Sequence, residues 1–365
     1  LTSDFSSGGL SSLDLATHTA TNDVLSIHAD ARVRVRDDQV YVINRLGQDN
    51  IIVLEASDLA TPLLQFSTGN GTNPYDIAFA SDTKAYVSRY ASTHLLIVDP
   101  TSGDSLGTVD LSAFADTDGL PEASELALYD NHLFIACQRI DRDNGFAPTD
   151  ASIIAVVDTD TDTLIDTQGI VMAGKNPFGA EQRGDKWILS NVNTFGDLAD
   201  GGIEVIDLAN RETEGILLDE SAIGGNLGTL AMVSDSEGYL IVTDASFSNS
   251  VVRFDLITKT VSASLGDHSG GFTPGLAVLG DRLYVLDQGS FTDPASGGIK
   301  VYDTQANTLV AGPITAGLPP NSIAFIGGST GASLASDFDG SGAVGFTDFL
   351  MFAEAFGSSN SRFDL

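Results

Sequence analysis

An all-β fold is what this sequence predicts: a seven-bladed β-propeller whose two chain ends complete one blade between them. Three observations carry that expectation. An apolar run ending in an acidic residue recurs seven times, its period is that of a four-stranded blade, and the strand signal missing at the amino end is supplied near residue 325.

The seven copies are "LSSLDLATHT", "IIVLEASDLA", "LLIVDPTSGD", "IAVVDTDTDT", "IEVIDLANRE", "VVRFDLITKT" and "IKVYDTQANT". Their acids, Asp14, Glu55, Asp99, Asp158, Asp207, Asp255 and Asp303, are 41, 44, 59, 49, 48 and 48 residues apart. Ahead of the later anchors lies a second strand signal, as in "QVYVIN", "KAYVSR", "HLFIAC", "KWILSN", "GYLIVT" and "RLYVLD". Ahead of that lies a first, such as "YDIAFA" or "PGLAVLG", and "DSLGTVDL" or "KTVSASLG" follows as the fourth. An Asp at the end of a third strand accepts the backbone N–H two residues on and stabilises the turn into the fourth. The acids therefore read as turn formers rather than catalytic groups, with Glu55 a looser version.

Closure is legible as well. The opening "LTSDFSSGGLSSLDLATHTATNDVLSI" holds late strands of a blade and no first strand, while "PPNSIAFIG" holds a first strand with nothing after it. Stitched together they make a composite blade and leave no open seam.

Totals bound the function. Fifty Asp plus Glu against 17 Lys plus Arg give a formal net charge of −33, which repels phosphate backbones and anionic membranes and suits a secreted protein in salty surroundings. Nucleic acid is not an expected partner, and no apolar run reaches the length of a membrane span. The single cysteine, Cys137, lies in the apolar "LFIACQR" and reads as a small buried hydrophobe. Opening on Leu1, the chain as given reads as processed or trimmed.

The segment "NPYDIAFASDTKAYVSRYASTHLLIVDPTSGDSLGTVDL" resembles the YVTN-type β-propeller repeat of secreted and cell-surface proteins. The likeness runs over residues 1–327 and departs at 120–171 and 176–221, where longer loops replace the short second turn. It implies an extracellular or cell-surface location and specifies architecture rather than activity.

In a propeller the approaches to strand one and the exits of strand two share one face around the channel. Arg45, Arg89 and Arg139 occupy equivalent exits of three successive blades, Tyr90 adjoins them, and Asn191, Asp244 and Asp287 stand at later exits. A guanidinium pairs with carboxylate or phosphate and stacks on rings, so these seven residues predict a site for a small anionic or polar ligand. The alternative is that the arginines pair with Asp76, Glu122 or Glu125 on adjoining approaches. Phe146, Phe195, Phe247 and Phe291 lie in the neighbouring loops, which are long and polar and suited to recognition. Enzyme motifs are scarce: His18, His28, His94, His132 and His268 show no paired spacing. His268, in "GDHSGGF", is the first candidate for chemistry, weighed against an exposed loop histidine.

Past a Gly/Ser linker at 328–336, "DFDGSGAVGFTD" has calcium-loop spacing. Asp337, Asp339, Ser341, Ala343, Gly345 and Asp348 fall at positions 1, 3, 5, 7, 9 and 12, with Gly342 at the sharp turn. A helical face of Phe346, Phe349, Leu350, Phe352, Ala353 and Phe356 follows, stopped by Gly357. This segment, 337–365, resembles a dockerin repeat, and Asp364 stands where a second repeat would begin. The resemblance implies bound calcium and a cohesin-like or surface protein partner. The expected function is thus a non-catalytic, secreted or cell-surface propeller that binds a ligand or protein at the channel mouth and is attached through a calcium-binding tail; self-assembly into an array is a variant. An extracellular propeller lyase or oxidoreductase is the rival.

Overall fold

The computed structural model describes residues 1–327. The linker, the segment that resembles a dockerin repeat and the six residues expected to ligate calcium lie outside the described residues.

Six sheets follow the repeat in order, each antiparallel with strands one to four running outward from the axis. Blade 2 comprises Ala31–Arg36, Gln39–Asn44, Asn50–Glu55 and Leu64–Ser67, and blade 3 comprises Pro74–Ser81, Lys84–Arg89, His94–Val98 and Ser105–Asp110. Blade 4 has Ala123–Tyr129, His132–Cys137 and Ile153–Asp158, and its outer edge is split between Thr163–Leu164 and Ile170–Val171, both paired to the third strand. Blades 5 and 6 open with Pro177–Arg183 and Asn226–Met232, and blade 7 with Gly275–Leu279. The long second turn of blade 4 adds a small hairpin, Ile140–Asp141 against Ala147–Pro148.

Blade 1 is the composite. Thr2–Ser3, Gly8–Asp14 and Thr19–Ile27 form a three-stranded sheet, and the segment around Pro320 lies along its inner edge. Ser3 N–H donates to the Pro319 carbonyl at 2.8 Å, and Asn321 N–H donates to the Leu1 carbonyl at 2.8 Å. The two chain segments therefore seal the ring through backbone hydrogen bonds, as the sequence predicts, but the expected first strand is reduced to a single bridge, Thr2 with Pro320.

What holds the ring is apolar packing between blades. Seven buried clusters sit at the seven blade junctions. The one between blades 7 and 1 joins Tyr284, Leu286 and Val301 to Leu13, Ala20 and Phe325, so both ends of the described chain contribute to a single core. Tyr41, Tyr86, Phe134, Tyr239 and Tyr284 recur on second strands and are all buried, each a large apolar body wedged between sheets. Tyr86 also reaches the turn of the next blade, donating its hydroxyl to Asp162, and Tyr239 does the same to Asn307.

The turn acids behave as expected. Asp14, Asp99, Asp158, Asp255 and Asp303 each accept the N–H two residues on, at 2.7–3.0 Å. Asp207 accepts from Asn210 N–H instead. Backbone donation holds the carboxyls of Asp14, Asp158, Asp255 and Asp303 below the ordinary range, and Asp207, with Lys186 as its main donor, falls to about 2. Glu55, one methylene longer, makes no such bond: its turn closes through backbone contacts, Ala56 N–H to Asp38 and Asp58 N–H to Glu55.

Candidate functional site at the channel mouth

Innermost strands line a central channel of about 1960 Å³. Blade 2 presents "RVRVR", and period-two alternation sends Arg32, Arg34 and Arg36 to one face and Val33 and Val35 to the other. Across the channel, Arg32 meets Glu125 of blade 4 at 2.7 Å, and Arg34 meets Asp76 of blade 3 at 2.7 Å and Glu125 at 3.1 Å. Two guanidinium groups lie against the Tyr75 ring, Arg32 at 4.3 Å and Arg45 at 4.6 Å from its centre. Tyr90 stacks on Tyr75 with ring centres 5.6 Å apart and donates its hydroxyl to Gln138 at 2.7 Å. Burial pushes the Tyr90 phenol well above its ordinary value.

Of the seven sequence-predicted ligand residues, the structure brings Arg45 and Tyr90 together in this stack. The others serve their own surroundings. Arg89 is buried and donates to the His94 and Thr68 carbonyls at 2.8 and 3.1 Å, closing the edges of blades 3 and 2. Arg139 donates to the Ala151 carbonyl at 3.0 Å and lies 3.6 Å from Asp150, within its own loop. Asn191 is fully buried against Glu204 at 2.8 Å. Asp244 is exposed and ties its turn by accepting from Ser246 and Ser248 N–H. Asp287 is fully buried, paired with Lys300 at 2.8 Å and with Ser269 and Gly289 N–H.

At the mouth, Arg32, Arg34 and Arg45 are matched by Glu125, Asp76 and Asp30, the last at 3.2 Å from Arg45. Asp76 and Glu125 do pair with arginines, but with those of the first strand rather than those of the exits. Local balance of three cations against three carboxylates removes the main attraction for a free anion. His268 is neither an exposed loop residue nor open to the channel. Its ring is buried, Nε2 lies 2.8 Å from Thr273 Oγ1 and 3.9 Å from Asp287, and burial lowers its pKa.

Sequence reasoning missed two arrangements. One is the Arg32, Arg34 and Tyr75 set, of which the "RVRVR" alternation signals only that the arginines share a face. The other is a group of carboxylates, Asp116, Asp118 and Glu122, whose oxygens lie within 4.8 Å of one another beside the blade 3 to blade 4 crossing, a group able to hold a metal ion. "DTDGLPE" was its signal. Burial, with Asp118 and Asp116 adding to it, raises Glu122 to about 8.

Around the mouth stands a crown of apolar side chains. The second turns of six blades carry Phe5, Leu46, Phe146, Phe195, Phe247 and Phe291, between 59% and 101% exposed. Phe5, Leu46, Phe146 and Phe247 sit at φ of 67°, 42°, 62° and 59°. Left-handed backbone is disfavoured for bulky residues and here turns them toward water. Phe195 lies 6.2 Å from Phe247, and Phe5 lies 6.1 Å from Phe272, so the crown has paired rings. Exposed Asp4, Asp143, Asp197, Asp244 and Asp293 stand among them. Only blade 3 breaks the pattern, its Tyr90 folding inward onto Tyr75.

Comparison with known proteins supports the fold. No protein-family profile matches the chain, and no curated protein matches it. Solved structures do. Hydrazine synthase of Kuenenia stuttgartiensis is similar at TM-score 0.60 and 14% identity, over 81% of this chain and 90% of that one. A functionally unknown protein from Desulfotomaculum acetoxidans is similar at 0.58 and 15%, over 86% and 93%. The Dos1 propeller gives 0.55 and 10%, over 86% and 75%. The chain is a seven-bladed β-propeller. At these identities the likeness concerns architecture, and one such architecture serves enzymes and proteins without assigned function alike. Among the described residues no helix is long and apolar enough to cross a membrane.

Proposed function

We propose that this chain is a non-catalytic, secreted or cell-surface binding propeller that docks a partner protein on its channel-mouth face and is attached through the calcium-binding segment at 337–348. The crown carries the reading: six blades each hold one large apolar side chain in water, four of them on disfavoured backbone. Burying a phenylalanine side chain contributes roughly 1.5–3 kcal/mol, so a ring of them is a strong anchor once covered. Interspersed aspartates select the cover. Two copies of this acidic face repel, as does an anionic membrane, whereas a partner surface combining apolar side chains with Lys or Arg matches both features. The balanced Arg, Tyr and acid set below the crown stiffens the mouth. A protein partner fits this face better than a small anion, because each mouth arginine already faces a carboxylate.

The test uses the full chain and an alternating Lys/Leu peptide as probe, with a Glu/Leu peptide as control. In fluorescence anisotropy the Phe5→Ser, Phe195→Ser, Phe247→Ser triple variant, whose charge is unchanged, is expected to bind the Lys/Leu peptide at least tenfold more weakly than the parent. Equal affinity of parent and variant, or equal binding of both peptides by the parent, overturns the proposal.

A further inference from the structure

We propose that Asp116, Asp118 and Glu122 form a binding site for a hard divalent cation, of calcium type, where the chain crosses from blade 3 to blade 4. The inference is independent of the tail segment and of the docking face.

The crossing is built to hold its shape. After the outer strand Ser105–Asp110, buried Leu111 and Phe114 pin a short turn, and the chain then loops back through "DTDGLPE" to the first strand of blade 4. Asp116 N–H donates to the Leu120 carbonyl at 3.1 Å, and the Asp118 and Leu120 N–H groups donate to Asp116 and Asp118 carboxylates at 3.1 and 3.0 Å. Three carboxylates are thereby aimed at one point, with oxygens within 4.8 Å of each other.

Aimed side chains alone would make an acidic turn. The deciding observation is Glu122, which is 0% exposed and has one oxygen, Oε1, buried without any hydrogen bond. Its other oxygen accepts only the Ile140 N–H, at 3.3 Å. The nearest cation is Arg142 Nε, 3.6 Å from Oε1, and that same nitrogen donates to Asp118 at 3.1 Å. A single guanidinium faces three carboxylates, which leaves an excess of two negative charges when all are ionised. Buried polar atoms without partners are rare and point to an absent ion or water. A divalent cation supplies both the missing contact for Oε1 and the missing charge.

The donor chemistry narrows the ion. The three ligands are carboxylate oxygens, with no imidazole or thiolate in the group, a set that suits calcium or magnesium rather than zinc or copper. Loop-borne ligands tolerate the longer, irregular coordination of calcium better than the strict octahedron of magnesium. With three protein carboxylates and water completing the shell, the affinity belongs with extracellular modules, on the order of 10⁻⁴ M.

The site also carries a loop. Ile140 N–H, Arg142 N–H and the Thr149 hydroxyl all donate to these acids, so the turn that presents Phe146 hangs from them. An ion in the cluster, joined to the Arg142 guanidinium that already faces it, ties that loop more firmly.

Calorimetric titration with calcium chloride, in the full chain carrying Asp337→Asn and Asp339→Asn, isolates this site from the tail. One ion per chain is expected, with a Tm rise of about 3–4 °C at 10 mM calcium chloride. Adding Glu122→Gln is expected to abolish the uptake and the rise, while Tm in chelator stays within about 2 °C because Gln keeps the acceptor for Ile140. Asp116→Asn, at the more exposed member, gives a second variant with the fold undisturbed, expected to weaken binding at least tenfold. No uptake by the parent up to 10 mM overturns the proposal, as does uptake unchanged in both variants. Failure of the tail segment would show separately, as one ion rather than two in the unsubstituted chain.

Discussion

Replacing Lys300 by Met tests whether Asp287 is a part of the framework or a ligand contact. Lys300 and Asp287 are 2.8 Å apart with side chains 5% and 0% exposed, and Asp287 also accepts the Ser269 and Gly289 N–H groups at 2.8 and 2.9 Å. Removing one member of a buried pair costs about 3–5 kcal/mol, because the remaining charge has no partner. The surviving N–H donors hold the carboxylate, which places the expected loss at the lower end, about 3 kcal/mol. Unfolding entropy of about 2.1 cal/mol/K per residue, taken over the 327 described residues, gives about 0.7 kcal/mol/K. Tm should therefore fall by about 4 °C. Scanning calorimetry at pH 7 on Lys300→Met, Asp287→Asn and the double variant measures the coupling, and the double is expected to lose at least 2 kcal/mol less than the sum of the singles. Additivity within about 0.5 kcal/mol, or an unchanged Tm for Lys300→Met, would refute the pairing argument and reopen Asp287 as a binding residue.

Acid sensitivity follows from the same cluster. Burial depresses His268, which faces Asp287 and Lys300, so the stability it contributes is present above about pH 6.5 and is lost as pH falls through its lower folded value. Asp287, depressed mainly by the Lys300 and Ser269 contacts that outweigh its burial, adds a second loss below pH 3.8. Because Glu122, raised to about 8, gains stability as pH falls through the same window, the upper step is read as the difference in Tm between the parent and His268→Gln, and the lower as the difference between the parent and Asp287→Asn. Ser3→Pro deletes the N–H that bonds to the Pro319 carbonyl, and is expected to lower Tm by several degrees and speed amide exchange at 321–323; unchanged exchange would count against ring closure by that contact. Gly103 has φ 77°, and a Cβ there would lie 2.6 Å from Phe66 Cβ across the blade 2 to blade 3 junction. Gly103→Ala should destabilise by about 2 kcal/mol in a denaturant melt, against near neutrality if that junction is loose.

Much of the architecture was readable because a propeller is a local code repeated. Each Asp anchor bonds two or three residues away, so its role needs nothing beyond the neighbouring turn, and the exception at Glu55 follows from side-chain length alone. The seam was readable for a similar reason, since missing and surplus strands are counted along the chain. Site residues were less accessible. Arg89 is the last residue of its second strand, whereas Arg45 stands one residue past the end of its own, and that offset sends Arg89 to cap strand-edge carbonyls and Arg45 to stack on Tyr75. His268 lies in a loop, yet its ring is buried against Thr273 and against Asp287, 18 or more residues further along the chain.

By itself the sequence determined the sevenfold count, the turn chemistry, the composite blade and the acidic surface, all properties of short windows or of totals. The tertiary structure alone decided which charges meet. Arg32 and Glu125 are 93 residues apart and touch only because ring closure brings blades 2 and 4 to the channel, and the six crown residues, scattered from Phe5 to Phe291, share a face only because the blades stack about one axis. Packing between sheets sets those distances, and no local pattern along the chain encodes them.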